Sequence, residues 1–372
     1  MMRPATPVNF SAPLEGCQWR GVVTRLTACP ALPDTVLLHA GPPFTGVVPA
    51  PVRDAAEQAL VFEGLASDLP AAADLLDSGA VKLAPAQDHQ VVTPLAQVVS
   101  ASMPLAVVSC GDVVRYAPLT EGPAPAVRFG NRCEETTERF TTLRRIGLEG
   151  LHPLLVATPL PMAPIIDAAI EAGEEAHALT GAATQALLAC LEKHDGEQRL
   201  SDDALAVLQS NPAFSLTIMM AAAACALAGG EVVAAGGNGV DMGLRLRGEQ
   251  RWRRHPATPP EGKRFDDAAP RTALGAIGDS AVLDMAGLGG QALLIAPALL
   301  SEWQAALPPD AASRREQVVD AATGLVSPGV IQRSGIGPLI NLAILANDTQ
   351  GGLIGRGCYA MPASLFSASG AP

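Results

Sequence analysis

Residues Asn211–Arg247 read NPAFSLTIMMAAAACALAGGEVVAAGGNGVDMGLRLR. This stretch decides the fold class, because its hydrophobic pattern changes partway along. The first part, Phe214 to Gly230, is 17 uncharged residues rich in alanine. A membrane-spanning helix needs about 20 strongly apolar residues, so a buried core helix is predicted. Asn211-Pro212 starts it and Gly229-Gly230 ends it. The second part reads as strands at Glu231–Ala235 and Gly243–Arg247, followed by Gln250–Arg254. Leu244-Arg245-Leu246-Arg247 alternates, which puts both arginines on one strand face. Between the first two strands lies Gly236-Gly237-Asn238-Gly239. Asn-Gly is the strongest short hairpin signal. The same glycines also suit a backbone that must approach a ligand closely.

Upstream of this stretch, Ala163–His194 has helical spacing with breaks at Gly173 and Gly181. Ser201-Asp202-Asp203 caps a short helix that runs to Gln209. The first third alternates between strands and helices. Strands are predicted at Thr35–His39, Val81–Leu83, Leu105–Cys110 and Val127–Phe129, and helices at Val52–Leu65, Leu69–Ser78 and Cys133–Leu151. Downstream, Gln291–Leu307 reads as an apolar helix that Pro297 should kink. The pattern predicts an α+β fold of mixed sheets with glycine-rich loops and a mainly helical middle segment. Three units are expected: an α/β domain over 1–130, a helical domain over 131–230, and an α+β domain over 231–372 that carries the glycine loops.

The 372 residues are 48% apolar and 17% charged, enough for a sizeable core and too little charge for disorder. With 25 Lys plus Arg against 37 Asp plus Glu, the net charge is −12. That balance argues against nucleic acid and against a polybasic membrane anchor. Cysteines at 17, 29, 110, 133, 190, 225 and 358 are odd in number, widely spaced and without a CxxC, so neither a disulfide framework nor a zinc ribbon is expected. The opening MMRPATPVNF has no apolar run of the kind a secretory signal needs. A cytoplasmic location with reduced thiols is the expectation.

Two further glycine-rich segments bear on chemistry. Gly278-Asp279-Ser280 precedes Gly287-Leu288-Gly289-Gly290, which opens the predicted helix from Gln291. Glycines before a helix start expose unpaired N–H groups to phosphate or carboxylate, and they also permit tight helix packing. The segment has no GK[ST], so it is not a P-loop. Gly351-Gly352-Leu353-Ile354-Gly355-Arg356-Gly357 reads first as a tight turn between strands. No histidine pair has HxxxH or HxH spacing, and neither a metal nor a cofactor is expected. His177 and Glu174 fall at i, i+3 of a predicted helix, as a solvated ion pair or as an acid and base facing a cleft. Arg251–Arg254, with Trp252 inside it, reads as an exposed strand face or as a grip for an anion or an acidic partner.

The order of several short boxes resembles a known family. They are His39-Ala40-Gly41-Pro42-Pro43, Phe62-Glu63-Gly64, Ser102-Met103-Pro104, Glu121-Gly122 and Arg128-Phe129-Gly130. Then come Gly173-Glu174-Glu175-Ala176-His177, Asn238-Gly239 with Gly243, the Gly278–Ala281 and Gly287–Gly290 segments, Pro338–Asn341 and Gly352–Gly357. Together they resemble the AllG-like proteins, over roughly residues 34–366. The resemblance implies a subunit of a carbamoyltransferase-type complex that handles carbamoyl phosphate and a small amide or carboxylate such as oxamate. It implies FdrA-like and AllH-like partner subunits and a small anionic substrate. Self-association into a homo-oligomer is left open, as are a non-catalytic assembly role and a stand-alone anion binder. The family's histidine-rich element corresponds here to Ala86-Gln87-Asp88-His89. On this resemblance His177, Glu174 and His89 are the expected catalytic residues. Gly41, Asn238, Gly239, Asp279, Ser280, Gly287, Gly289 and Gly290 are the expected substrate- or anion-binding residues.

Overall fold

The computed structural model describes residues 8–193, 199–265, 271–348 and 350–367. Its alanine-rich helix spans Phe214–Leu227, and of these residues only Leu216 and Ala226 are not buried. It packs against the strands Pro104–Cys110 and Val113–Pro118 and against the short helix Ala281–Met285. The run Ala221–Ala224 lets these backbones come close, since alanine fills a core without large side chains. The Cys225 thiol reaches the Val108 carbonyl at 3.4 Å. The main apolar cluster around this helix takes residues from Phe10 to Phe366, drawn from all parts of the chain.

The described residues form four sheets. An antiparallel sheet has the order Val113–Pro118, Pro104–Cys110, Cys17–Thr24, Leu160–Pro161. A second runs Ile277–Gly278, Val232–Asn238, Asp241–Leu246, Arg253–Pro256. The third pairs Glu261–Arg264 with Leu353–Ala360 and that strand with Leu339–Leu345. The fourth is the parallel pair Val36–His39 and Lys82–Pro85. With its helices, this is the α+β architecture read from the pattern. The Asn238-Gly239 hairpin is present: Asn238 Oδ1 accepts from Val240 N at 2.9 Å and Asp241 N at 2.7 Å. The Ser201 cap is present too, its Oγ accepting from Ala204 N at 3.2 Å.

Several elements differ from the sequence reading. Val127–Phe129 is a 3-10 turn rather than a strand, ended by Gly130 at φ +72. The charged helix begins at Thr136, passes through a π-helical turn at Ile146–Leu151, and continues as His152–Ala157. The last strand of the arginine-rich region is Arg253–Pro256, not Gln250–Arg254. Gln291–Leu307 is not one kinked helix. It breaks into 3-10 turns at Gly289–Gln291 and Leu293–Ile295, and a new helix starts at Pro297. Proline tolerates the first helical turn but not the interior, so the chain restarts there instead of bending. His194, the end of the predicted 163–194 run, lies outside the described residues; within them the run is two helices, Ala163–Glu171 and Gly181–Glu192. Among the described residues no single helix is long and apolar enough to cross a membrane.

Candidate functional site

Gly173, at φ +77, ends the helix Ala163–Glu171, and the next regular residue is Gly181. Glu174 and His177 therefore do not share a helical face. The positive φ of Ala176 (+66) turns them apart. Glu174 points forward, and its Oε2 accepts from Ala182 N at 2.8 Å. That bond satisfies an orphan donor at the start of Gly181–Glu192, where a negative charge also suits the helix dipole. Glu174 is thus a helix cap rather than an acid facing a cleft.

His177 turns inward instead. Its Nδ1 lies 2.8 Å from Asp284 Oδ2, and both side chains are buried. The other Asp284 oxygen accepts from Gly290 N at 2.7 Å and Asn341 N at 3.1 Å. Glu175 is fully buried beside them and accepts from Ala178 N at 2.5 Å, Leu179 N at 3.0 Å and Asn341 Nδ2 at 2.8 Å. Three distant chain segments thereby lock one imidazole in place. Burial by itself lowers the His177 pKa, but the charges of Asp284 and Glu175, with the Asp284 hydrogen bond, outweigh it and hold it above the ordinary 6.5. Burial pushes the Glu175 carboxyl up, and its charged and hydrogen-bonded neighbours oppose that. Asp284 holds Nδ1, so Nε2 is the ring nitrogen left for an occupant. Among the described residues it has no protein partner.

The ring lines a cavity of about 160 Å³. Arg128, Arg356, Ser280, Thr180 and Thr217 share the wall with apolar groups such as Leu95, Phe129 and Leu342. No carboxylate lines it among the described residues. Arg128 is buried; its Nη1 donates to the Glu121 carbonyl, and its guanidinium sits 4.4 Å from the Phe129 ring centre. Its ion pair with Glu121 is long, at 3.7 Å. Arg356 pairs with Glu302 at 3.5 Å and leaves Nε buried without a partner. Thr217 Oγ1 is likewise buried and unpartnered. Buried polar atoms are normally satisfied, so two unpartnered ones on residues of this wall stand out.

The glycine loop below His177 does not form the expected anion cradle. Gly287 N donates to the Asp284 carbonyl at 3.1 Å, Gly289 N to the Glu175 carbonyl at 2.8 Å, and Gly290 N to Asp284 Oδ1. A Cβ on Gly289, at φ +51, would collide with Asp284 Oδ1, and one on Gly290 with the Leu339 carbonyl. The glycines are small because other groups fill the space. Gly290 N binds the dyad's carboxylate, and the N–H groups of Gly287 and Gly289 are taken by backbone carbonyls.

Asp279, Gly41, Asn238 and Gly239 converge elsewhere, on a buried seam. Asp279 accepts from Gly41 N at 2.8 Å, Thr93 N at 3.0 Å and Gln87 Nε2 at 2.6 Å. Burial pushes its carboxyl up to about 7 against those donors. Gly41, at φ +73, abuts the Gly237–Asn238 backbone so closely that any side chain would collide. Asn238 Nδ2 donates to the Pro42 carbonyl at 2.9 Å. Gly239 N donates to the Ala276 carbonyl at 3.1 Å. None of these four residues lines the His177 cavity; Ser280, next to Asp279, does. His89 ends the 3-10 turn Ala86–His89 and also does not line it, and burial lowers its pKa.

A family model described as "Oxamate carbamoyltransferase subunit AllG" matches residues 81–280, more than half of the chain. The chain belongs to the AllG family. It is 28% identical over 365 residues to the oxamate carbamoyltransferase subunit AllG of Escherichia coli K12, covering 89% of this chain and 87% of that one. It is also 28% identical over 376 residues to the uncharacterized protein YahG of the same organism, covering 92% and 79%. A crystal structure of a conserved protein of unknown function from Enterococcus faecalis V583 superposes with a TM-score of 0.87 at 26% identity, covering 96% of this chain and 94% of that one.

In this AllG-family chain, sequence reasoning singled out His177 and Ser280 for the cavity but assigned no role to Arg128, Glu175 or Asn341, though all three lie in the quoted boxes. Asp284 and Thr217 were passed over altogether. The available signal for Asp284 was a lone carboxylate in the apolar run Ala281–Ala286, which is costly unless paired.

Proposed function

We propose that this chain is a subunit of a carbamoyltransferase-type complex and that the His177 cavity holds a small amide carboxylate such as oxamate during carbamoyl transfer from carbamoyl phosphate. The observation that carries this reading is the charge pattern of the wall: Arg128, Arg356 and a His177 with raised pKa, and no carboxylate among the described lining residues. Such a wall favours an anion, and about 160 Å³ suits a small one, well below the ~300–1,000 Å³ of drug-sized pockets. The relation to AllG supports the class of reaction.

In this chemistry the acceptor nitrogen attacks the carbamoyl carbon and an N–C bond forms. The C–O bond to phosphate breaks, phosphate leaves with the electron pair, and it takes the proton lost by the acceptor nitrogen. Arg128 and Arg356 orient the acceptor carboxylate. His177 donates Nε2–H to the carbamoyl oxygen, where negative charge develops. One such fixed donor contributes about 3 kcal/mol. Asp284 fixes the ring through Nδ1. Among the described lining residues, one dyad and two arginines leave this cavity no separate seat for the phosphate leaving group, so FdrA-like and AllH-like partners complete the machinery. The reading keeps the chain in the cytoplasm, in line with its seven free thiols.

The test is phosphate release from carbamoyl phosphate in the presence of oxamate. The purified chain alone is expected to release none above background, and adding an FdrA-like partner to bring activity. Full turnover by the lone chain contradicts the partner requirement. No turnover with any combination of partners favours an assembly subunit.

A further inference from the structure

A second cavity, of about 430 Å³, lies between the turn Ala86–His89 and the strands Val113–Pro118 and Asp241–Leu246. It shares no lining residue with the His177 cavity. Gln87, Asp88, Gln90, Arg115, Arg245 and Glu249 carry its polar wall. Most of these charges are already matched. Arg245 Nη1 pairs with Asp88 Oδ1 at 2.6 Å, and Trp252 Nε1 donates to the same oxygen at 3.0 Å. Glu249 is held by Arg253 through Nε and Nη2.

Arg115 is different. It is half-buried, and its guanidinium makes one hydrogen bond, from Nη1 to the Val114 carbonyl at 2.8 Å. Among the described residues it belongs to none of the ion pairs within 4 Å. The remaining donors of its fork are not sealed in the protein, and a planar oxyanion is what that fork recognises. Next to it Gln90 holds a left-handed backbone, φ +64, a conformation that is uncommon away from glycine. Gln87 fixes the floor: its amide bonds both ways to Ala235 and its Nε2 also reaches Asp279.

We propose that this cavity is a second binding site, for a small organic anion with a single carboxylate or phosphate head seated on Arg115 and a hydrogen-bonding body against Gln90 and Gln250. The lining charges sum to zero, but Asp88 is taken by Arg245 and Glu249 by Arg253 from outside the wall, which leaves the Arg115 charge unmatched and open to one oxyanion. The volume is too large for a bare phosphate ion and accommodates a polar body. The proposal is independent of the role given to His177.

The experiment is calorimetric titration of the full chain with inorganic phosphate, AMP and gluconate at constant ionic strength. The AMP and gluconate arms, each one anionic head on a hydroxyl-bearing body, separate phosphate from carboxylate heads. At least one of these two is expected to bind the wild type, more tightly than inorganic phosphate, and to lose at least tenfold in affinity in Arg115→Gln. Arg115→Lys keeps the charge without the fork and is expected to fall between them, and it serves alone if Arg115→Gln does not fold. Arg128→Gln, in the other cavity, is expected to bind within twofold of wild type. Binding of neither organic anion, or a loss that follows Arg128→Gln instead of the Arg115 variants, overturns the proposal.

Discussion

His177→Gln is expected to lower the turnover of the assembled carbamoyltransferase complex by about 100-fold or more, within the range lost when a positioned proton donor is removed. Glutamine keeps a side chain of similar reach and leaves Asp284 two backbone donors, Gly290 N and Asn341 N, so the fold survives. What goes is the charged donor facing the cavity. The pH profile separates this from a packing defect. The folded His177 pKa is above 6.5, so wild-type turnover is expected to fall as pH rises through that higher value. The variant is expected to lose that limb of the profile while keeping any other. A variant with wild-type rate, or with the same alkaline limb, removes His177 from the chemistry.

Asp284→Ala is expected to cost about 3–5 kcal/mol of folding stability, the range for breaking a buried ion pair by deleting one partner. Three groups lose their acceptor together: His177 Nδ1, Gly290 N and Asn341 N. The pH dependence follows from the sign of the shift. His177 has a folded pKa raised above its unfolded value, so the pair stabilises fully below about pH 6.5 and the contribution is lost as pH rises through the folded value. In Asp284→Ala the dominant remaining influence is burial, which lowers that pKa. Urea denaturation across this pH range is expected to show wild-type stability falling with pH, and the variant's falling less or rising. A loss under 1 kcal/mol contradicts the buried network.

The parts of the fold legible in the sequence are those with local causes. The alanine run from Phe214, the Asn238-Gly239 turn and the Ser201 cap each depend on residues within a turn or two of one another. What escaped reading is non-local. Glu175 and Asn341 bond across 166 residues, and His177 and Asp284 across 107, so no spacing announces either pair. The strand Cys17–Thr24 was missed because its burial does not alternate cleanly and a bulge interrupts it between Trp19 and Gly21. The helix expected from Gln291 does not form in one piece because Pro297 lacks an interior N–H donor and takes a first-turn position instead of a kink. The glycine loop at 287–290 carries two readings in the sequence, an anion site and tight packing, and its close contacts are those of packing. Its small residues admit Asp284 and the Leu339 backbone, and the same composition would admit a phosphate.

The central claim is that the His177 cavity holds the small acceptor anion. Oxamate binding to the assembled complex tests it most directly, by calorimetry with wild type, Arg128→Gln and Arg356→Gln. The account predicts that wild type binds oxamate and that each arginine variant, folded and assembled, binds at least tenfold more weakly. Oxamate bound equally well by the wild type and both variants contradicts it.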